Sequence, residues 1–123
     1  MTATDHAVSL TRAAAEAAAD KLGTDMVAFD VTEQLAITDV FLIVSAENDR
    51  QVGAVVDAIE ERLREEFDAK PVRREGDREN RWVLLDYLDL VAHIQHIEER
   101  EFYALERLWH DCPRIDLPVE EHR

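Results

Sequence analysis

Cysteine, glycine and basic residues are all scarce in this chain, and each scarcity closes off a class of function. A single cysteine, Cys112, has no partner for an intramolecular disulfide and cannot build a cysteine-based zinc cluster. Three glycines, at 23, 53 and 76, are too scattered for the loop that cradles a nucleotide's phosphates. Lys and Arg number 14 against 28 Asp and Glu, a formal net charge of −14. A field of that sign repels phosphate backbones and anionic lipid. Little direct nucleic-acid binding is therefore expected, and a basic protein partner is favoured, although the same acidity also serves solubility. No apolar run approaches the roughly 20 residues of a membrane span. The start, MTATDHAVSL, has neither the basic onset nor the apolar core of a secretory signal. The expectation is a soluble cytoplasmic protein with no membrane partner.

What is present suffices for a core, since 46% of the 123 residues are hydrophobic and that length suits one domain. The Ala-rich DHAVSLTRAAAEAAADKL predicts a helix over 5–22, ended by Gly23. Strands follow at DMVAFDV (25–31) and at VFLIVSA (40–46), whose continuous apolar run suits a strand covered on both faces. Ser45 or Asn48 caps the next helix, where Val52, Val55, Val56, Ile59 and Leu63 keep helical spacing up to Phe67. PVRRE predicts an edge strand, Gly76 with Asp77 a turn, and RWVLLDYLDLVAHIQH two strands joined near DYLD. EEREFYALERLWHD predicts a last helix burying Phe102, Leu105, Leu108 and Trp109 along one side. The order α-β-β-α-β-β-β-α implies an α/β fold, a single domain with a mixed β-sheet flanked by helices. Residues 1–123 form that domain, with a core of about 5–110 and an extended or mobile tail at 111–123 marked by Pro113 and Pro118.

Candidate chemistry is thin. His93 and His96 would share one face of a helix, but residues three apart on a strand point to opposite faces and do not chelate together. His6 and His122 lie near the termini. Cys112, with His110 two residues before it, lacks a third partner for nucleophilic catalysis. A nucleotidyltransferase would need a Gly-Ser entry to a helix and carboxylates spaced for Mg²⁺. SAENDRQ has no Gly-Ser, and Asp86 and Asp89 bracket a turn, where Asp is common for its own hydrogen bonding. Five of the eight aromatics, Trp82, Tyr87, Phe102, Tyr103 and Trp109, fall in the last 42 residues. Phe102 and Trp109 suit a buried stripe. Trp82 and Tyr87 suit a core or a binding surface equally.

Three blocks in register, ITDVFLIVSAENDRQVGAVVDAIEERL, EGDRENRWVLLDYLDLVAHI and REFYALERLW, resemble the ribosomal silencing factor S family, also called Iojap, from about residue 5 to residue 110. The Ala-rich first helix and RLWHDCP are similar to an actinobacterial member. The resemblance implies a nucleotidyltransferase-like fold without the catalytic motif, no enzymatic activity and no cofactor. It further implies binding to protein fourteen of the large ribosomal subunit, which sterically blocks joining of the small subunit and represses translation under nutrient limitation. Its docking residues carry over to Trp82, Leu85, Asp86, Tyr87 and Asp89 in the second block and to Arg100, Tyr103 and Glu106 in the third. Asp39, Asp49 and Arg50 match the first block as turn and cap residues. Leu88 stands at a turn position often occupied by glycine in the family. Rival readings are a nucleotide-binding or residual nucleotidyltransferase domain and a generic acidic adaptor. Exposed apolar surface would also let the free protein form a homodimer.

Overall fold

The structure, a computed structural model, describes residues 2–76 and 78–119. Its elements are α1 (Asp5–Asp20), β1 (Thr24–Asp30), β2 (Val40–Ala46), α2 (Asp49–Phe67), β3 (Arg73–Gly76), β4 (Trp82–Asp86), β5 (Leu90–His96) and α3 (Ile97–Tyr103), then a 3₁₀ turn at Leu105–Arg107. The five strands make one mixed sheet in the order β1-β2-β5-β4-β3, in which β2 and β5 run parallel and the other neighbours antiparallel. The α/β class and the element order follow the sequence expectation.

Local chemistry sets the helix starts. The Thr4 hydroxyl accepts the Ala7 N–H at 3.1 Å and opens α1. Of the two candidates for α2, Asn48 is the cap, accepting the Gln51 N–H at 2.9 Å. The stop of α1 differs from expectation. Leu22, not a glycine, takes the left-handed conformation at φ 66, and no described glycine has positive φ. Gly23 is needed for space: a Cβ there would lie 2.8 Å from Val44 Cγ1 and 2.9 Å from the Ala18 carbonyl oxygen. Asp49 accepts the N–H of Arg50 at 3.0 Å, as a first-turn residue should. Asp39 instead accepts the Thr4 N–H at 3.0 Å, which ties the chain's start across to the β2 side.

Strand parity divides the sheet into two faces. Val40, Leu42 and Val44 of β2, Leu90, Ala92 and Ile94 of β5, and Val83 and Leu85 of β4 point toward α1 and α2. There they meet Leu10, the buried alanines of α1, and the Val52–Leu63 stripe of α2. Burying each Val, Leu or Ile contributes about 1.5–3 kcal/mol. The opposite face is built on Phe29, Val31, Ile43 and Cys112, with Phe41, Leu35, Leu105 and Trp109 packed against them. β2 and β5 are buried on nearly every residue, as the continuous apolar run predicts, whereas β4 alternates between buried and half-buried. This second face is open over β4.

The last helix is much shorter than its spacing predicts. α3 ends at Tyr103 because Ala104 turns left-handed at φ 46, and the chain resumes as the 3₁₀ turn. Phe102 and Leu108 are therefore exposed, at 80% and 70%, rather than buried in a stripe. The break sends Leu105 and Trp109 to the Phe29–Ile43 cluster and leaves Tyr103 beside β4. After Cys112 the chain is extended: Asp30 N–H donates to the Pro113 carbonyl at 2.8 Å and Ile115 N–H to Ala28 at 2.9 Å. Ile115 and Leu117 pack on the α1–α2 side, beyond the expected end of the core. The far end of the expected tail, 120–123 with His122, lies outside the described residues, as does Asp77 of the expected Gly76–Asp77 turn. Among the described residues no helix is long and apolar enough to cross a membrane.

Candidate functional site

The open face centres on β4, where Trp82, Leu84 and Asp86 alternate outward and are half-buried. Six rings run across this side of the sheet in the order Phe102, Tyr103, Trp82, His93, Phe41 and Trp109. Their successive centroids lie 5.0, 4.8, 6.0, 5.1 and 5.2 Å apart, within the range for attractive aromatic pairs. The Trp109 end is packed against the core, and the Phe102–Tyr103 end stands in solvent. An exposed phenylalanine beside a half-exposed tyrosine and a tryptophan is the composition of an interface hot spot.

Polar contacts hold the segment over the sheet. Arg100 Nη1 donates to the Ser45 hydroxyl at 2.9 Å and Nε to Glu106 at 3.2 Å, which ties both sides of the Ala104 break to β2. His96 accepts the Glu98 N–H at 3.1 Å through Nδ1 and opens α3. Arg81 donates to Glu98 at 2.8 Å and to Glu99 at 3.0 Å, and its guanidinium holds the Glu98 carboxyl below the usual carboxylate range. Arg73 lies 3.5 Å from Glu75 and 3.7 Å from Asp86. Five carboxylates thus share three arginines around the aromatic patch. The rim is acidic.

His93 sits beneath Trp82. The indole Nε1–H donates to His93 Nδ1 at 3.1 Å, while the buried Nε2 reaches no partner among the described residues. Burial pulls the His93 pKa down to about 4, so the ring is neutral at physiological pH. A buried donor without an acceptor costs about 1–3 kcal/mol. His96 points to the other face, as strand parity requires, and among the described residues no three His, Cys, Asp or Glu side chains converge where they could share a metal ion.

The sequence-derived docking residues do not all reach this surface. Trp82, Asp86 and Tyr103 do, and Arg100 and Glu106 form the clamp at its edge. Asp89 lies in the β4–β5 turn, half-buried and 3.9 Å from His6. Leu85 and Tyr87 were expected on the docking surface and are instead core residues, 0% and 6% exposed, because odd spacing from Trp82 turns them toward the helices. Burial, with the Glu60 carboxylate adding to it, raises the Tyr87 phenol above its usual range. Leu84, Phe102 and His93, which the sequence reading did not place here, line the same face. Counting in twos from Trp82 finds Leu84, and on β5 the same parity separates His93 from His96.

A separate cleft of about 430 Å³ opens between the end of α1, β1 and the extended tail. Glu16, Asp20 and Glu47 line it, and its Arg62 is engaged by Asp20 and Glu66, at 3.0 and 3.3 Å. That lining is unfavourable for a polyphosphate.

Comparison with known proteins agrees with the fold and extends it. The family model described as "Ribosomal silencing factor during starvation" matches residues 4–123. A ribosomal silencing factor of Bacillus subtilis is 38% identical over 109 residues, covering 89% of this chain and 92% of its own. The chloroplastic protein Iojap of Zea mays is 34% identical over 117 residues, 95% of this chain and 49% of its own. A crystal structure of a Chromobacterium violaceum protein superposes with a TM-score of 0.79 at 25% identity, covering 94% of each chain. A match over nearly the whole chain, in sequence and in fold, means that this protein belongs to the ribosomal silencing factor family, whose members are ribosome-associated regulators.

Proposed function

We propose that this silencing factor acts by binding, without catalysis, to protein fourteen of the large ribosomal subunit, and that the bound factor blocks joining of the small subunit when nutrients are scarce. The observation that supports it is the aromatic patch of Trp82, Phe102 and Tyr103, left open on the sheet face opposite α1 and α2 and rimmed by carboxylates. An apolar centre supplies affinity, and an acidic rim steers toward a basic protein while discouraging the surrounding RNA phosphates. Leu84 and Asp86 belong to the same patch, and Arg100 with Glu106 holds α3 over it. The same face would pair two free copies, and such a dimer would compete with ribosome binding.

Sedimentation tests the proposal. Added protein should shift joined ribosomes toward free subunits with no nucleotide required, and should travel with the large subunit. Trp82→Ala should weaken that association by about 2 kcal/mol, roughly thirtyfold. Unchanged profiles at saturating protein would refute the silencing mechanism, and full binding by Trp82→Ala would refute the docking face.

A further inference from the structure

We infer that His93 is a positioning residue: its Nδ1 accepts the indole N–H of Trp82 and holds that ring in the orientation the docking face needs. The inference rests on the docking role proposed for Trp82. An indole nitrogen only donates, so the 3.1 Å bond requires Nδ1 to be the acceptor and places the imidazole proton on Nε2. Nε2 is buried and unpartnered among the described residues. A side chain serving packing alone would be aliphatic there, as Ile43 is at the paired position on β2. Histidine instead leaves one polar atom unsatisfied and directs its single hydrogen bond at a half-exposed ring. That choice loses stability and gains orientation.

The indole is held on two sides. Trp82 is fixed at its nitrogen edge by His93, and its ring meets Tyr103 at 4.8 Å. A side chain already locked in place loses less rotamer freedom when a partner covers it. Because the imidazole stays neutral, Nδ1 keeps its lone pair and the bond persists through the physiological range.

Three variants of the full chain test this: His93→Leu, His93→Asn and Trp82→Ala, with the His93→Leu/Trp82→Ala double variant. The asparagine carbonyl oxygen can stand near the Nδ1 position, whereas leucine offers no acceptor. His93→Leu should melt at or above the parent and bind large subunits about tenfold more weakly, about 1.4 kcal/mol. The indole N–H resonance of Trp82 should lose its protection from exchange in the same variant. His93→Asn should recover most of the affinity, and His93→Leu should add nothing once Trp82 is alanine. Parental binding by His93→Leu, beside a loss in Trp82→Ala, would overturn the positioning role and leave the docking face intact. Unfolding of His93→Leu, or no recovery in His93→Asn, would make the imidazole merely structural. Parental binding by Trp82→Ala would remove the docking reading and this inference with it.

Discussion

Replacing Leu88 by glycine should make this protein more stable, although glycine commonly weakens the region around a strand. Leu88 sits at φ 71 in the β4–β5 turn, a left-handed conformation that costs an L-residue about 1–2 kcal/mol. Glycine releases that cost. Against it stands the added freedom of the unfolded chain, about 0.4–1 kcal/mol. Little apolar burial is lost, because Leu88 is 58% exposed, and the bond from its backbone N–H to Asp86 at 2.9 Å does not involve the side chain. The net gain should be about 0.5–1 kcal/mol, a rise in melting temperature of about 2–5 °C for a chain of this size. Urea unfolding would show it as a higher midpoint at unchanged slope. Leu88→Asn should gain similarly, since asparagine tolerates this conformation without the entropy of glycine. A lower midpoint for both variants would refute the strain argument and show that the leucine side chain is stabilising the turn.

The depressed pKa of His93 makes stability depend on pH with a definite sign. The unfolded imidazole, near 6.5, takes up a proton before the folded one, near 4, so stability is full above pH 6.5 and falls as the pH drops toward 4. Between pH 7 and pH 5 the loss attributable to this group should be about 2 kcal/mol, read as the difference in denaturant midpoints between parent and His93→Leu; parallel profiles would contradict it. Trp109→Ala should cost about 2–3 kcal/mol in thermal melts. That is less than a fully buried aromatic would cost, because Trp109 is half-buried against Phe41 and the Phe29–Ile43 cluster. A change below about 0.5 kcal/mol would show that the 3₁₀ segment is not packed there.

The strands and first two helices were legible because each carries its own signal: alanine content for α1, spacing and Asn48 for α2, a continuous apolar run for β2. Parity was also legible, and it disposed of the His93–His96 pair. Applied to β4 it would equally have separated Trp82 from Leu85 and Tyr87, which a family resemblance grouped by proximity in sequence. The end of α3 was not legible. Phe102, Leu105 and Trp109 recur at helical spacing, and no glycine or proline announces the turn at Ala104. All six described residues with positive φ are non-glycine, so reading turns from glycine positions misplaces them. The ring series from Phe102 to Trp109 crosses β4, β5 and β2, and no linear periodicity displays an arrangement assembled from three strands and the C-terminal segment.

The parallel pairing at the centre of the sheet also governs how the chain finds its shape. β1 with β2, and β3 with β4 and β5, are antiparallel groups whose members lie close in sequence. Only β2 against β5 joins them, and it pairs Val40 with Leu90, fifty residues away. Closing a flexible loop of that length carries about 3.5 kcal/mol of entropy from its length dependence alone, before the seam returns any contact. The two groups can therefore form early and cheaply, while the seam is entropically the most expensive step. Until it closes, the Val40–Ala46 run has a bare edge, the interval in which this otherwise acidic chain is most open to pairing with another copy.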